Sequence, residues 1–244
     1  MFVSYQVSNA RSTVVNIGLV LRISALASHE HLIHGFSTAA SGDMRRDGGE
    51  LLTPARRAFA QALGIDPRCI AFMGAVHGAD VAVANTPGLY RDVDALVTDR
   101  RGLALFATFA DCYPILVYDP ERHVAGLAHA GWRGTAAGVA KALVATTGSD
   151  PGRLVAGIGP GICRNCYQVS DEVAARFPGT VKQPDAGGRW LLDLAEANRL
   201  QLVEAGLDPA RVHVHGTCTK ETPSLPSHRR EPDLSRFACL FALA

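Results

Sequence analysis

Residues 103–129 read LALFATFADCYPILVYDPERHVAGLAH. Three short apolar runs, at 103–109, 115–118 and 124–129, stand in this one stretch, closed by Ala-Asp-Cys-Tyr-Pro and Asp-Pro-Glu-Arg-His. Short apolar runs bounded by turn residues predict strands. A parallel crossover needs a dozen or more residues, usually a helix, and neither gap has room for one. Strands that follow one another directly argue against a doubly wound parallel sheet and predict an α+β fold.

Working outward, the same signals predict strands at 70–76, 81–84, 95–98, 154–158, 212–215 and 237–243. Helices are predicted at 54–63, 135–147, 171–177 and 191–205. In the last, Leu191, Leu194, Ala195, Leu202 and Ala205 share a face, Gly206 supplies the stop, and Asn198 falls inside the apolar stripe as a buried amide to be satisfied locally. Loops are expected at 37–50, 178–189 and 220–233, where Gly, Pro, Ser and charge concentrate. None separates halves of different composition, and 244 residues suit one to two domains, so a single domain is expected. Residues 1–30 read as an N-terminal extension or an early strand, with the main domain over 31–244. The apolar run 14–27 ends Ala25-Leu26-Ala27, but Arg22 and Asn16 interrupt it, unlike the apolar stretch of a signal peptide.

Composition narrows the function classes. Lys+Arg 24 against Asp+Glu 23 leaves a formal charge of +1, which supplies neither a phosphate-neutralising surface for nucleic acid nor a polybasic membrane patch. Hydrophobic residues make up 48% and charged residues 19%, enough core and too little charge for a disordered chain. No apolar run reaches the length of a membrane span. Six cysteines are too sparse for a disulfide scaffold, so a reducing cytoplasm is the expected location.

Three segments share one design, an apolar run ending in a reactive side chain and a turn: Met73-Gly74-Ala75-Val76-His77-Gly78, Phe109-Ala110-Asp111-Cys112-Tyr113-Pro114 and Leu127-Ala128-His129-Ala130-Gly131-Trp132. Loops at strand ends carry catalytic groups because a rigid sheet positions them. Two imidazoles and a thiolate could hold zinc with an open fourth position. The same residues permit a Cys112 nucleophile with His129 as base and Asp111 or another carboxylate orienting the ring. Two core histidines and an inert buried cysteine fit the pattern as well.

Gly131-Trp132-Arg133-Gly134-Thr135 leads into a helix, with Thr135 as the expected N-cap. Free N–H groups, two glycines and the Arg133 fork would suit a phosphate or carboxylate; a tight turn with a surface arginine fits too. Cys163-Arg164-Asn165-Cys166 is half a zinc site by spacing, and Cys218 and Cys239 are not spaced as its other half, so it reads as a loop with incidental thiols. His213 and His215 alternate along a strand and share a face, which structural histidines do as readily as ligands. Ser227-His228-Arg229-Arg230 is a basic cluster, either solvated surface or an anion contact.

Residues 110–116 (ADCYPIL) together with 128–135 (AHAGWRGT) resemble the signature of the laccase-domain family, whose members also carry the labels multicopper polyphenol oxidase, purine nucleoside phosphorylase and peptidoglycan-editing factor. Val76-His77-Gly78, 94–98 (DALVT), Gly159-Pro160 with Tyr167-Gln168-Val169, Cys218-Thr219 and Ser227-His228-Arg229-Arg230 follow that family's order, so the similarity runs from about His34 to the end. The resemblance implies a single-domain α+β sandwich, two mixed β-sheets flanked by helices in an α/β/β/α arrangement. It implies zinc held by His77, Cys112 and His129, which would also be the catalytic residues. Its implied activity is phosphorolysis of adenosine, inosine and 5′-methylthioadenosine, with adenosine deamination as a companion. Purine nucleoside and phosphate would then be the partners, with Arg133, Thr135, Arg229 and Arg230 as substrate or phosphate contacts.

Some positions depart from the family pattern. Gly35-Phe36-Ser37-Thr38 is followed by Ala39-Ala40 where the family carries an arginine, and Arg45 and Arg46 lie downstream. Ala75 replaces the usual glutamine, and Leu225-Pro226 the usual aromatics. These changes touch substrate contacts and leave the three ligand positions intact. Three other functions compete with phosphorolysis: editing of a peptidoglycan precursor, polyphenol oxidation by copper, and binding around a structural zinc. Multicopper centres need many histidines in His-x-His pairs, and three ligands including one thiolate suit zinc better. Structural zinc is normally four-coordinate, which disfavours a purely structural site here.

Overall fold

Nearly every residue in the three strands of 103–129 is buried, which explains why they read as continuous apolar runs rather than alternating ones. The structure is a computed structural model and describes residues 20–232 and 235–244. Its strands are β1 (Leu32–Phe36), β2 (Ile70–Gly74), β3 (Val81–Val83), β4 (Gly88–Arg91), β5 (Ala95–Thr98), β6 (Ala104–Phe109), β7 (Tyr113–Asp119), β8 (Val124–Ala130), β9 (Val155–Ile158), β10 (Gln168–Val169), β11 (Lys182–Asp185), β12 (Arg189–Leu192), β13 (Val212–Val214) and β14 (Phe237–Leu243). Its α-helices are α1 (Ser24–Ala27), α2 (Pro54–Ala62), α3 (Trp132–Ala136), α4 (Val139–Thr147), α5 (Asp171–Ala174) and α6 (Leu194–Glu204).

Two mixed sheets stack. One is five-stranded, in the order β1-β14-β6-β2-β4, and the other six-stranded, in the order β13-β9-β7-β8-β5-β3. Period-two alternation sorts the side chains. Along β14, Phe237, Cys239, Phe241 and Leu243 face the space between the sheets, while Ala238, Leu240 and Ala242 face the layer of α2, where Phe59 and Ala60 pack. Along β7, Leu116 and Tyr118 face between the sheets, while Tyr113, Ile115 and Val117 face the α4 and α6 side with Leu143 and Leu202. The result is the α/β/β/α sandwich of the α+β class. Because β6 belongs to one sheet and β7 to the other, the chain crosses between layers at 110–112 and turns there on Asp111, whose φ is 83°.

The expected elements need four corrections. The helix at 135–147 is two helices, because Gly138 adopts φ 86° and breaks the ladder between α3 and α4. Leu191 belongs to β12, not to α6; Asp193 caps α6 by accepting from the Glu196 N–H. The loop expected at 178–189 holds the antiparallel β11–β12 hairpin, which turns on Gly187 and Gly188 and joins β10 in a third, small sheet. The helix expected at 171–177 ends at Ala174. Strands β1 and β4 were not legible in the sequence. Residues 1–19, among them positions 14–19 of the apolar run 14–27, lie outside the described residues. From residue 20 the chain makes a bridge from Leu21 to Phe36 and the helical turn α1, with Ile23 and Leu26 buried between the sheets. Among the described residues, no helix is long and apolar enough to cross a membrane.

Candidate metal centre and its cavity

The site is assembled around a carboxylate. Asp94, fully buried before β5, accepts the backbone N–H groups of Val76 at 3.1 Å, His77 at 2.9 Å and Gly78 at 2.6 Å. This clamp holds the turn after β2 in place, with His77 in the left-handed region at φ 65°. A non-glycine residue there is strained by roughly 1–3 kcal/mol and persists only where its surroundings over-determine it. Asp94 also meets Nδ1 of His129 at 3.1 Å, which leaves Nε2 for the cluster. At the sheet crossing, Asp111 accepts from the Thr219 hydroxyl at 2.6 Å and from the Arg229 N–H at 2.7 Å, fixing the turn that carries Cys112.

His77, Cys112 and His129 each offer one ligand atom, and these atoms all lie within 4.8 Å of one another. The two imidazole centroids are 4.9 Å apart. Burial opposes ionisation of the Cys112 thiol, but the charge of His129 and hydrogen bonds from both rings outweigh it and bring the pKa down to about 6. Burial likewise opposes charge on His129, but the Cys112 thiolate and Asp94 raise it to about 9. Two imidazoles and a thiolate are a donor set suited to zinc, with Asp94 as the outer carboxylate that orients one of them. The three residues therefore fit such an ion, and Cys112 beside His129 fits a thiol nucleophile as well. In either case the orienting carboxylate is Asp94, not Asp111. Sequence reasoning left that role to Asp111 or another carboxylate, because Asp94 stands there as the residue that opens the apolar strand 94–98.

The glycines after His129 serve packing. A Cβ at Gly131 would come within 2.9 Å of Cys112 Sγ and 3.1 Å of His77 Cδ2; one at Gly134 would come within 2.6 Å of the Gly78 carbonyl oxygen. Gly131, not Thr135, is the N-cap of α3. Thr135 is fully buried, its hydroxyl paired with the Asn198 side-chain amide, and it does not line the cavity, so the expected phosphate contact is not available to it. Asn198 is the satisfied buried amide expected, also donating to the Leu194 carbonyl at 2.8 Å.

The trio opens onto a cavity of ≈ 790 Å³, within the range of small-molecule sites. Seven arginines line it (Arg45, Arg46, Arg56, Arg91, Arg133, Arg229 and Arg236) against the two aspartates Asp92 and Asp111, which favours an anionic ligand. Arg133 is exposed and stacks on Trp132 at 4.3 Å. Arg229 lies over Tyr167 at 5.0 Å and donates to the Gln168 carbonyl. Arg45 and Arg46 reach the cavity from the loop that departs from the family pattern, Arg45 paired with Asp43 at 2.6 Å. Arg230 is elsewhere: its guanidinium donates to the carbonyls of Thr219, Lys220, Thr222 and Leu225, so it braces a loop instead of meeting substrate. His213 and His215 join no metal-ligating cluster among the described residues.

A layered α+β sandwich with a His₂Cys cluster at the crossing of its sheets defines the class. The chain matches the family described as multi-copper polyphenol oxidoreductase laccase over residues 33–244, and it belongs to that family. It is 41% identical over 197 residues to a purine nucleoside phosphorylase of Streptomyces coelicolor, covering 77% of this chain and 80% of that one. It is 34% identical over 198 residues to a protein of an unknown prokaryotic organism named adenosine deaminase RL5, covering 72% and 75%. The crystal structure of YlmD from Geobacillus stearothermophilus superposes with a TM-score of 0.81 at 30% identity, over 88% of this chain and 93% of that one.

Proposed function

We propose that this protein is a zinc-dependent purine nucleoside phosphorylase acting on adenosine, inosine and 5′-methylthioadenosine. The observation that carries it is the His77–Cys112–His129 cluster opening onto an arginine-lined cavity large enough for a nucleoside and phosphate. The name and coverage of the Streptomyces coelicolor relative support the same reaction. In that reaction a phosphate oxygen bonds to C1′ as the C1′–N9 bond breaks, its electron pair leaving with the purine.

His77, Cys112 and His129 would hold the ion, which when bound supplies a Lewis acid. Arg133, with Arg229 and one of Arg45 or Arg46, binds phosphate and draws its charge against the sugar. Trp132 and Tyr167, both on the cavity wall, give the purine an apolar face. Asp94 holds the His129 ring in one tautomer, so Nε2 stays available as a ligand.

Adenosine deamination is a second activity of the same site, supported by the relative named for it. One mononuclear three-residue set does not suit the copper cluster of a polyphenol oxidase. The free thiols of all six cysteines suit a cytoplasmic location. The test is phosphate-dependent release of hypoxanthine from inosine, run beside metal analysis of the same protein. Hypoxanthine and ribose 1-phosphate in equal amounts are expected. Turnover of a muramyl precursor or a phenol, with no phosphate-dependent release from any purine nucleoside, would sink it.

A further inference from the structure

The C-x-x-C that the sequence leaves as half a site is completed by the fold. Cys163, Cys166, Cys218 and Glu221 bring their three sulfurs and a carboxylate oxygen within 4.8 Å of one another. The distance from each sulfur to the metal in a zinc tetrahedron is about 2.3 Å, which sets the sulfurs roughly 3.8 Å apart. The cluster thus needs only a small contraction to close on an ion. Cys163 and Cys166 flank a 3₁₀ turn in which the Cys166 N–H donates to the Cys163 carbonyl at 3.0 Å. The other pair has the same spacing, Cys218-x-x-Glu221. The two halves are joined by backbone, with Gly161 bridging Cys218 and the Thr219 N–H donating to the Gly161 carbonyl at 3.0 Å. The Cys163 N–H already points at Cys218 Sγ at 3.3 Å, and Cys166 Sγ meets Glu221 Oε1 at 3.4 Å.

We propose that Cys163, Cys166, Cys218 and Glu221 form a second, structural zinc site that fastens segment 161–169 to the turn 217–222. Four protein donors close the coordination shell, in contrast to the three at His77, Cys112 and His129, so this ion does no chemistry of its own. Binding releases the three thiol protons to solvent. What it holds is a cavity wall: Ile162 and Tyr167 line the cavity, and Thr219 donates to Asp111 beside Cys112.

The experiment uses the full-length protein, purified with a reductant, in wild-type, C112S, C163S, C218S and E221Q forms. Cys112→Ser is expected to retain one equivalent of zinc per chain through dialysis against a mild chelator. Cobalt in its place should give the intense d–d bands of a tetrahedral site and thiolate charge transfer. Cys163→Ser and Cys218→Ser should each lose one equivalent relative to wild type and melt several degrees lower. Glu221 is exposed, so Glu221→Gln should fold normally and weaken zinc at least tenfold in competition with a chelating dye. Should Cys218→Ser fail to fold, the cobalt spectrum of Cys112→Ser and the Glu221→Gln affinity decide. A Cys112→Ser protein that holds no zinc and gives no tetrahedral cobalt spectrum would overturn the site. So would a disulfide among Cys163, Cys166 and Cys218 in protein kept anaerobic, or zinc affinity unchanged in Glu221→Gln.

Discussion

Asp94 connects the strained turn to the ligand cluster, since one carboxylate clamps the three N–H groups around His77 and orients His129. Asp94 accepts on both carboxylate oxygens, and asparagine would replace one of them with a donating NH2 group. Asp94→Asn is therefore expected to weaken metal binding at the trio by 10–100-fold, the usual effect of losing an outer-shell partner. Metal competition titrations check it, and unchanged affinity would make Asp94 merely a turn residue. Cys112→Ser should remove one equivalent of metal and the phosphorolysis with it, with circular dichroism unchanged because serine is nearly isosteric. Activity lost with all metal retained would point instead to a thiol nucleophile. Arg133→Ala should raise the phosphate KM by about one to two orders of magnitude, from roughly 1.5–3 kcal/mol per charged hydrogen bond. Phosphate kinetics that do not move would leave Arg133 as a stacking partner of Trp132 only.

At the scale of elements, β1 is tied to the entering chain through His34, whose Nε2 accepts the Ile23 N–H at 2.9 Å. Burial, then Arg22 and His215, lower its pKa from 6.5 to about 4, so the fold prefers the neutral ring. That stabilisation is complete above about pH 6.5 and is lost as the pH falls through about 4, amounting to at most about 3 kcal/mol. Urea midpoints between pH 4 and 7 should fall more steeply for the wild-type protein than for His34→Gln, and equal slopes would refute the assignment. The break between α3 and α4 is likewise an element-scale decision. Thr135 and Trp132 look from the sequence like the approach to one long helix. Gly138 at φ 86° ends the first, so that α3 can lay Gly131 and Gly134 against the cluster and the 76–78 turn while α4 packs on the six-stranded sheet.

Across the whole molecule, the two sheets share one interior, and Phe241 lies within it with no exposed surface. Phe241→Ala should cost about 3–5 kcal/mol, read as a lower urea midpoint with one cooperative transition. A loss below about 1 kcal/mol would mean the sheets repack freely. The α+β class was legible in residues 103–129 because doubly buried strands must be apolar throughout and short gaps forbid crossover helices. The reactive side chains were legible too, since His77, Cys112 and His129 each stand where an apolar run stops. Spacing did not give their convergence, which only the family resemblance implied, because it depends on the chain changing sheets at Asp111 and on Asp94 reaching across to a turn far away in sequence. For the same reason Cys163 and Cys166 looked incidental until Cys218 and Glu221 were folded against them, and Thr135 and Arg230 looked like ligand contacts until their partners claimed them. Local pattern determines where a strand ends and what stands there; which ends meet is decided by long-range packing, which no spacing along the chain records.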